Sequence, residues 1–213
     1  MRKLVLLTAA FGALVAASQA AVSAAPPGTL TLKATPTAVV YGGSVTLSGV
    51  LSTQRVGQGI TIEEQTCGTT AFKKGAAATT TTGGNFSTVV KPTINTVYRA
   101  RQKNTTSPTV SVGVRPLLRL RKVSAGKFSL QLSSSTSFVG KYALFQRRTT
   151  TGWRTVKKVF FKTVTTSATP LPNTQVSSVT FRVRIKTRRR VRAIVVQSQA
   201  VCYLPATSNV TRS

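Results

Sequence analysis

Gly42-Gly43-Ser44-Val45-Thr46-Leu47-Ser48-Gly49-Val50 is the stretch whose reading decides the fold. Val45, Leu47 and the residues between them alternate apolar and polar, the two-residue period of a half-buried strand. The Gly42-Gly43 pair marks a turn into it. The same pattern extends both ways. Upstream, Leu30-Thr31-Leu32-Lys33-Ala34 alternates until Pro36 ends it. Downstream come Ile60-Thr61-Ile62, then Thr79 to Thr82 leading into Gly83-Gly84-Asn85, which reads as a hairpin turn. Phe86 to Lys91, Val97 to Arg101 and Val110 to Val114 complete the series. Seven short strands in roughly 85 residues, with turns at regular intervals, is the arithmetic of a two-sheet sandwich.

Arg115-Pro116 reads as a linker, since proline lacks an N–H and stiffens the crossing. The pattern then restarts with Leu118 to Arg121, Phe128 to Leu132 and Tyr142 to Gln146. Trp153 to Val164 is one long Thr/Lys-rich piece, Phe181 to Lys186 alternates throughout, and Val191 to Val196 and Val201 to Leu204 close the chain. Phe86 to Lys91 followed by Tyr98-Arg99-Ala100 parallels Phe181 to Lys186 followed by Val191-Arg192-Ala193, a weak internal repeat. The expected fold is all-β, with two tandem immunoglobulin-like Greek-key β-sandwich domains after a signal peptide. The boundaries are 1–24 for that peptide, 28–114, a linker at 115–116, and 117–213.

Composition agrees and narrows the function. The 213 residues are 41% apolar, enough for a core, and include 35 threonines, which favour strands. There are 30 Lys+Arg against two acidic residues and no histidine, a formal net charge of +28. General acid–base catalysis and hydrolytic metal sites draw on His, Asp, Glu or several Cys, so no enzyme, metal or cofactor is expected. Met1-Arg2-Lys3, the apolar run Leu4 to Ala17 and the small residues up to Ala24 form a secretory signal peptide. Cleavage is expected after Ala24, with Ala20 as the alternative. Ser18 and Gln19 interrupt the run short of the roughly 20 apolar residues a spanning helix needs, so the cleaved chain is read as exported and not transmembrane. It would be extracellular or associated with the cell envelope. Cys67 and Cys202, an even count in an exported chain, can form a disulfide, and such a bond would tie the two domains together. Free or intermolecular thiols are the alternative.

Tyr41 to Gly49, and the segment from Pro92-Thr93 to Tyr98-Arg99-Ala100, resemble the strand signatures of bacterial Ig-like domains. Gly140-Lys141-Tyr142, Leu144, Gln146-Arg147 and Gly152-Trp153 are similar to tandem repeats of secreted and surface proteins of high-GC Gram-positive bacteria. The resemblance covers nearly all of the chain after the signal peptide. It implies fold and export, and it leaves open whether such a domain is a spacer, an adhesion module or an envelope-binding unit. In related sandwiches a tyrosine near the start of the sixth strand bonds back to the backbone as a tyrosine corner, and Tyr98 occupies that place. The second domain has Val191 instead.

Glu63 and Glu64 are adjacent, so on a strand their carboxylates point to opposite faces and cannot act as a catalytic pair. The aromatics of the second half, Trp153 among them, read mostly as core, with one of Phe160-Phe161 facing outward. Leu204-Pro205-Ala206-Thr207 lacks the apolar tail of a wall-sorting signal and reads as the exit of the last strand. The unusual feature is where the bases lie. Residues 25–114 carry eight Lys/Arg and two Glu, whereas residues 115–213 carry twenty Lys/Arg and no acid. Arg182, Arg184 and Lys186 share one strand face, Arg188-Arg189-Arg190 form a turn, and Arg192 begins the return strand. These seven residues are the candidate polyanion-binding set. The expected partner is an anionic envelope polymer or another extracellular polyanion. No helix or zinc motif is present to read a DNA groove, so sequence-specific nucleic-acid binding is not expected. A structural spacer or protein–protein adhesion module, with incidental charge and a protein partner, is the alternative.

Overall fold

The computed structural model describes residues 28–213, and the expected signal peptide lies outside the described residues. The elements are strands and two short 3-10 turns, with no α-helix among the described residues. Nine strands build a first sandwich: β1 (Lys33–Thr35), β2 (Ala38–Val40), β3 (Val45–Val50), β4 (Gly59–Thr66), β5 (Lys73–Thr79), β6 (Asn85–Val90), β7 (Thr96–Gln102), β8 (Thr105–Thr106) and β9 (Val110–Arg115). One sheet runs β1-β3-β6; the other runs β2-β9-β7-β4-β5, with β8 on β7. β3 behaves as its alternation requires. Val45 and Leu47 are fully buried, while Thr46 faces solvent. Gly49 is required within it, because a Cβ there would collide with the Thr31 carbonyl.

The Gly83-Gly84-Asn85 turn is not a hairpin. β5 belongs to the larger sheet and β6 to the smaller, so the segment between them changes sheets. Gly83 (φ 75°) and Gly84 (φ 73°) both adopt left-handed backbone. The buried hydroxyl of Thr80 donates to the Arg55 carbonyl (2.6 Å), tying the crossover to the preceding loop. Glycine pairs signal left-handed turns equally well whether the chain returns to its own sheet or leaves it.

The second sandwich contains β10 (Leu117–Ser124), β11 (Lys127–Ser134), β12 (Tyr142–Thr149), β13 (Gly152–Phe160), β14 (Thr163–Ser167), β15 (Thr174–Arg182), β16 (Arg190–Val195), β17 (Ala206–Thr207) and β18 (Thr211–Arg212). Its sheets run β10-β11-β15-β14 and β13-β12-β16, with β17 and β18 both paired to β16. Four strands face a sheet of the C-F-G type, the immunoglobulin strand order. The core is aromatic. Phe128, Phe145 and Phe181 pack with centroids 5.0, 5.9 and 5.1 Å apart, and Phe138 meets Phe161 and Tyr203 at 6.4 and 5.8 Å. Such pairs add about 0.5–1.5 kcal/mol each beyond the area they bury.

Three sequence expectations need correcting here. The piece from Trp153 to Val164 is two strands in different sheets, β13 and β14. β15 ends at Arg182, the last residue in register with β11, opposite Lys127. Phe86 therefore opens its strand while Phe181 nearly closes its own, and the internal repeat holds in plan but not in register.

Val201 to Leu204 is the third correction: it is a loop, and it joins the sandwiches. Cys202 is disulfide-bonded to Cys67 at the end of β4, with Cα atoms 5.4 Å apart. The Asn95 N–H donates to the Cys202 carbonyl (3.0 Å), and the Leu204 N–H to Val114 in β9 (2.8 Å). The Arg115 guanidinium reaches the Pro205 carbonyl (3.0 Å). Tyr203, fully buried, shares a 2.6 Å hydrogen bond with the Ser135 hydroxyl, which also reaches the Thr93 carbonyl of the first sandwich (3.2 Å). On another side of the junction, the Tyr41 hydroxyl meets that of Thr174 at 3.3 Å, and Gly42 abuts Pro170. Arg115 ends one sandwich and Leu117 begins the next, so this loop, rather than the peptide crossing, supplies most of the contacts named here.

Candidate polyanion-binding surface

The strands of the second sandwich fix which bases gather. β12 starts at Tyr142, whose N–H donates to Gln199 in the loop that reaches the first sandwich. It runs away from there to Thr149, and β16 returns antiparallel from Arg190. Eight strand residues cover roughly 25 Å. The far end of the sandwich therefore holds the β10–β11 turn, the β12–β13 turn, the segment after β15 and the start of β16. Arg121, Lys122, Lys127, Arg147, Arg148, Arg154 and most of the candidate set converge on this tip.

Arg182 ends β15, and Arg184 and Lys186 follow it exposed, while Phe181 is buried and Val183 and Ile185 are half-buried against the core. The alternation in side-chain direction holds although the strand has ended. The tip loop is held by backbone and serine bonds. Arg188 adopts left-handed backbone (φ 63°). The Arg189 N–H donates to the Ser213 hydroxyl (3.0 Å), and that hydroxyl donates to the Lys186 carbonyl (2.8 Å). None of these bonds uses a guanidinium. Arg190 begins β16 opposite Arg212, rather than sitting in the turn. Residues 115–213 contain no carboxylate side chain, and the ion pairs among the described residues all lie in the first sandwich.

Arg192 departs from the rest of the set. It is half-buried on the outer face of the β13-β12-β16 sheet, with its Nε donating to Gln146 Oε1 (3.0 Å) and its Cζ 4.2 Å from the Trp153 ring centroid. Arg148 approaches the same ring at 5.7 Å. Burial, and after it the charge of Arg148, hold the Arg192 guanidinium below its ordinary pKa. Trp153 is thus an outer-face residue, not core. A bulge in the β12–β13 pairing between Phe145 and Gln146 places Trp153 opposite Arg148 and Thr155 opposite Gln146. That bulge cannot be read from periodicity, because Trp153 to Lys158 has no clean alternation. Further along this face Phe160, 51% exposed, packs edge-on to Tyr142 (5.6 Å), while Phe161 is buried.

In the first sandwich Glu63 faces outward and accepts from Arg99 Nε (2.6 Å) and Arg101 (3.5 Å). The Arg99 hydrogen bond holds its carboxyl below the usual range. Arg99 also lies 4.0 Å over Phe72. Glu64 faces the opposite way, in register with Tyr98. Burial, and after it the Glu64 charge, push the Tyr98 hydroxyl up to about 12. Tyr98 itself is buried, 1% exposed. No group of three or more His, Cys, Asp or Glu comes together among the described residues, and no helix among them is long and apolar enough to cross a membrane. No protein-family model matches the chain, and no curated protein matches it.

Proposed function

We propose that this chain is an exported, non-enzymatic tandem Ig-like protein of bacterial type. It associates with the cell envelope, or with another extracellular polyanion, through its second sandwich. One observation carries the reading. A single tip gathers most of the basic residues of a domain that has no acidic side chain, and its loop is held by backbone and serine bonds that leave the guanidiniums to solvent. Like charges so concentrated repel one another, and an anionic polymer relieves that cost. The test is retention of the full exported chain on purified envelope and on a polyanion resin. Binding at low salt that is released by about 1 M salt supports the reading; no binding at low salt contradicts it.

The alternative reading is a rigid spacer or adhesion module with incidental charge. It draws on the loop contacts between the sandwiches and on exposed Phe160. It requires a protein partner held at high salt.

A further inference from the structure

Within the basic surface, one cluster is organised more tightly than the rest. Arg192 is fixed in three ways: by its strand, by the Nε bond to Gln146 and by stacking on Trp153. Gln146 is itself 8% exposed and donates from Nε2 toward Thr155 (3.4 Å). Among the described residues the two Nη atoms of Arg192 have no hydrogen-bond partner, so the fork of the guanidinium is presented while its stem is held. Arg148 brings a second guanidinium to the same ring. Two guanidiniums therefore lie 4.2 and 5.7 Å from the centroid of one indole, in a domain without a carboxylate side chain. The guanidinium of Arg192 is preorganised for an incoming anion, and exposed Arg148 brings a second charge beside it.

We propose that Arg192 and Arg148, converging on Trp153, form an oxyanion site that takes a phosphate group of the bound polymer, with Gln146 as a positioning residue. The proposal rests on the polyanion reading above and adds a point of specific contact to it. A guanidinium fork matches phosphate oxygens bidentately, which an ammonium cannot do. Successive phosphate units along such a polymer carry one charge each, so two neighbouring guanidiniums can engage two units of the same chain.

The chain has a single tryptophan, so its fluorescence reports this cluster alone. The experiment titrates the full exported chain with long-chain inorganic polyphosphate at fixed ionic strength. Heparin and poly-glutamate at matched charge are parallel arms. The expected result is a saturable change in Trp153 emission with polyphosphate. Arg192→Lys, which keeps the charge, weakens binding by about tenfold. Gln146→Ala weakens it less, and Lys33→Ala, which removes an exposed charge of the first sandwich, changes it by no more than about twofold. Equal affinities for Arg192→Lys and the parent overturn the site, as does an equal loss from Lys33→Ala and Arg192→Lys. Heparin or poly-glutamate binding as tightly, with the same dependence on Arg192, overturns the assignment to phosphate. If the site fails while salt-reversible retention on the polyanion resin persists, the polyanion reading stands without it. Loss of retention as well removes both.

Discussion

Leu204 of the second sandwich lies directly over Gly113 of the first, its Cγ 2.8 Å from where a Cβ on that glycine would stand. Gly113 does not need left-handed backbone; it is small because the neighbouring sandwich occupies the space. Gly113→Ala is therefore expected to destabilise the chain by about 1–3 kcal/mol, the usual range for overpacking. Leu204→Ala should cost stability alone but recover part of the loss when combined with Gly113→Ala. Urea unfolding of the two single variants and the double variant checks this. Strict additivity would show that the two residues do not meet.

Glu63 supplies an acid dependence with a clear sign. Its folded pKa lies below the ordinary value of 4.5 because of Arg99. The stabilisation is therefore present above the ordinary glutamate range and is lost as pH falls through the lower, folded value. The chain has only two carboxylate side chains, so few other groups titrate there. Stability measured by urea at about pH 6 and about pH 3 should fall in the parent and fall less in Glu63→Gln. Identical pH dependence in the two would contradict the pairing.

Tyr98 supplies the opposite dependence. Its folded pKa is pushed from 10.0 to about 12, so the unfolded chain loses that proton first and stability declines as pH rises across this interval. Phenolate absorbance of the native chain should contain a component titrating near 12 that Tyr98→Phe removes. A native titration unchanged by Tyr98→Phe contradicts the assignment.

Much of this was legible in the sequence, for identifiable reasons. Val45-Thr46-Leu47 alternates because one face of β3 is core and the other solvent, and Phe128-Ser129-Leu130 repeats this in β11. The basic tip was legible too, because Arg182, Arg184 and Lys186 keep their spacing past the end of β15. What periodicity could not supply was pairing. The sheet change at Gly83-Gly84 depends on which strand β6 meets. The position of Trp153 depends on a bulge, and an aromatic residue beside a basic one reads as core unless its opposite number, Arg148, is known. Val201 to Leu204 looks like a strand because it is apolar; Leu204 serves the contact between the sandwiches and Tyr203 is buried, while Val201 is exposed.

Reduction of the Cys67–Cys202 bond should loosen the junction without unfolding either sandwich, since each core lies within its own pair of sheets. Hydrogen exchange should then rise at Asn95, Val114 and Leu204 while Leu47 and Leu130 stay protected. Exchange rising equally at all five would show that the sandwiches depend on the bond for their own folding.

The central claim, a polyanion surface at the tip of the second sandwich, is tested most directly by the salt dependence of binding. The affinity of the full exported chain for inorganic polyphosphate would be measured across a salt series, for the parent and for a variant with Arg182, Arg184, Arg188, Arg189 and Arg190 changed to Gln. Each phosphate neutralised contributes somewhat under one unit to the slope of log affinity against log salt. The account predicts a steep negative slope in the parent, shallower by at least about 2 in the variant. Equal slopes would place the contact elsewhere and contradict it.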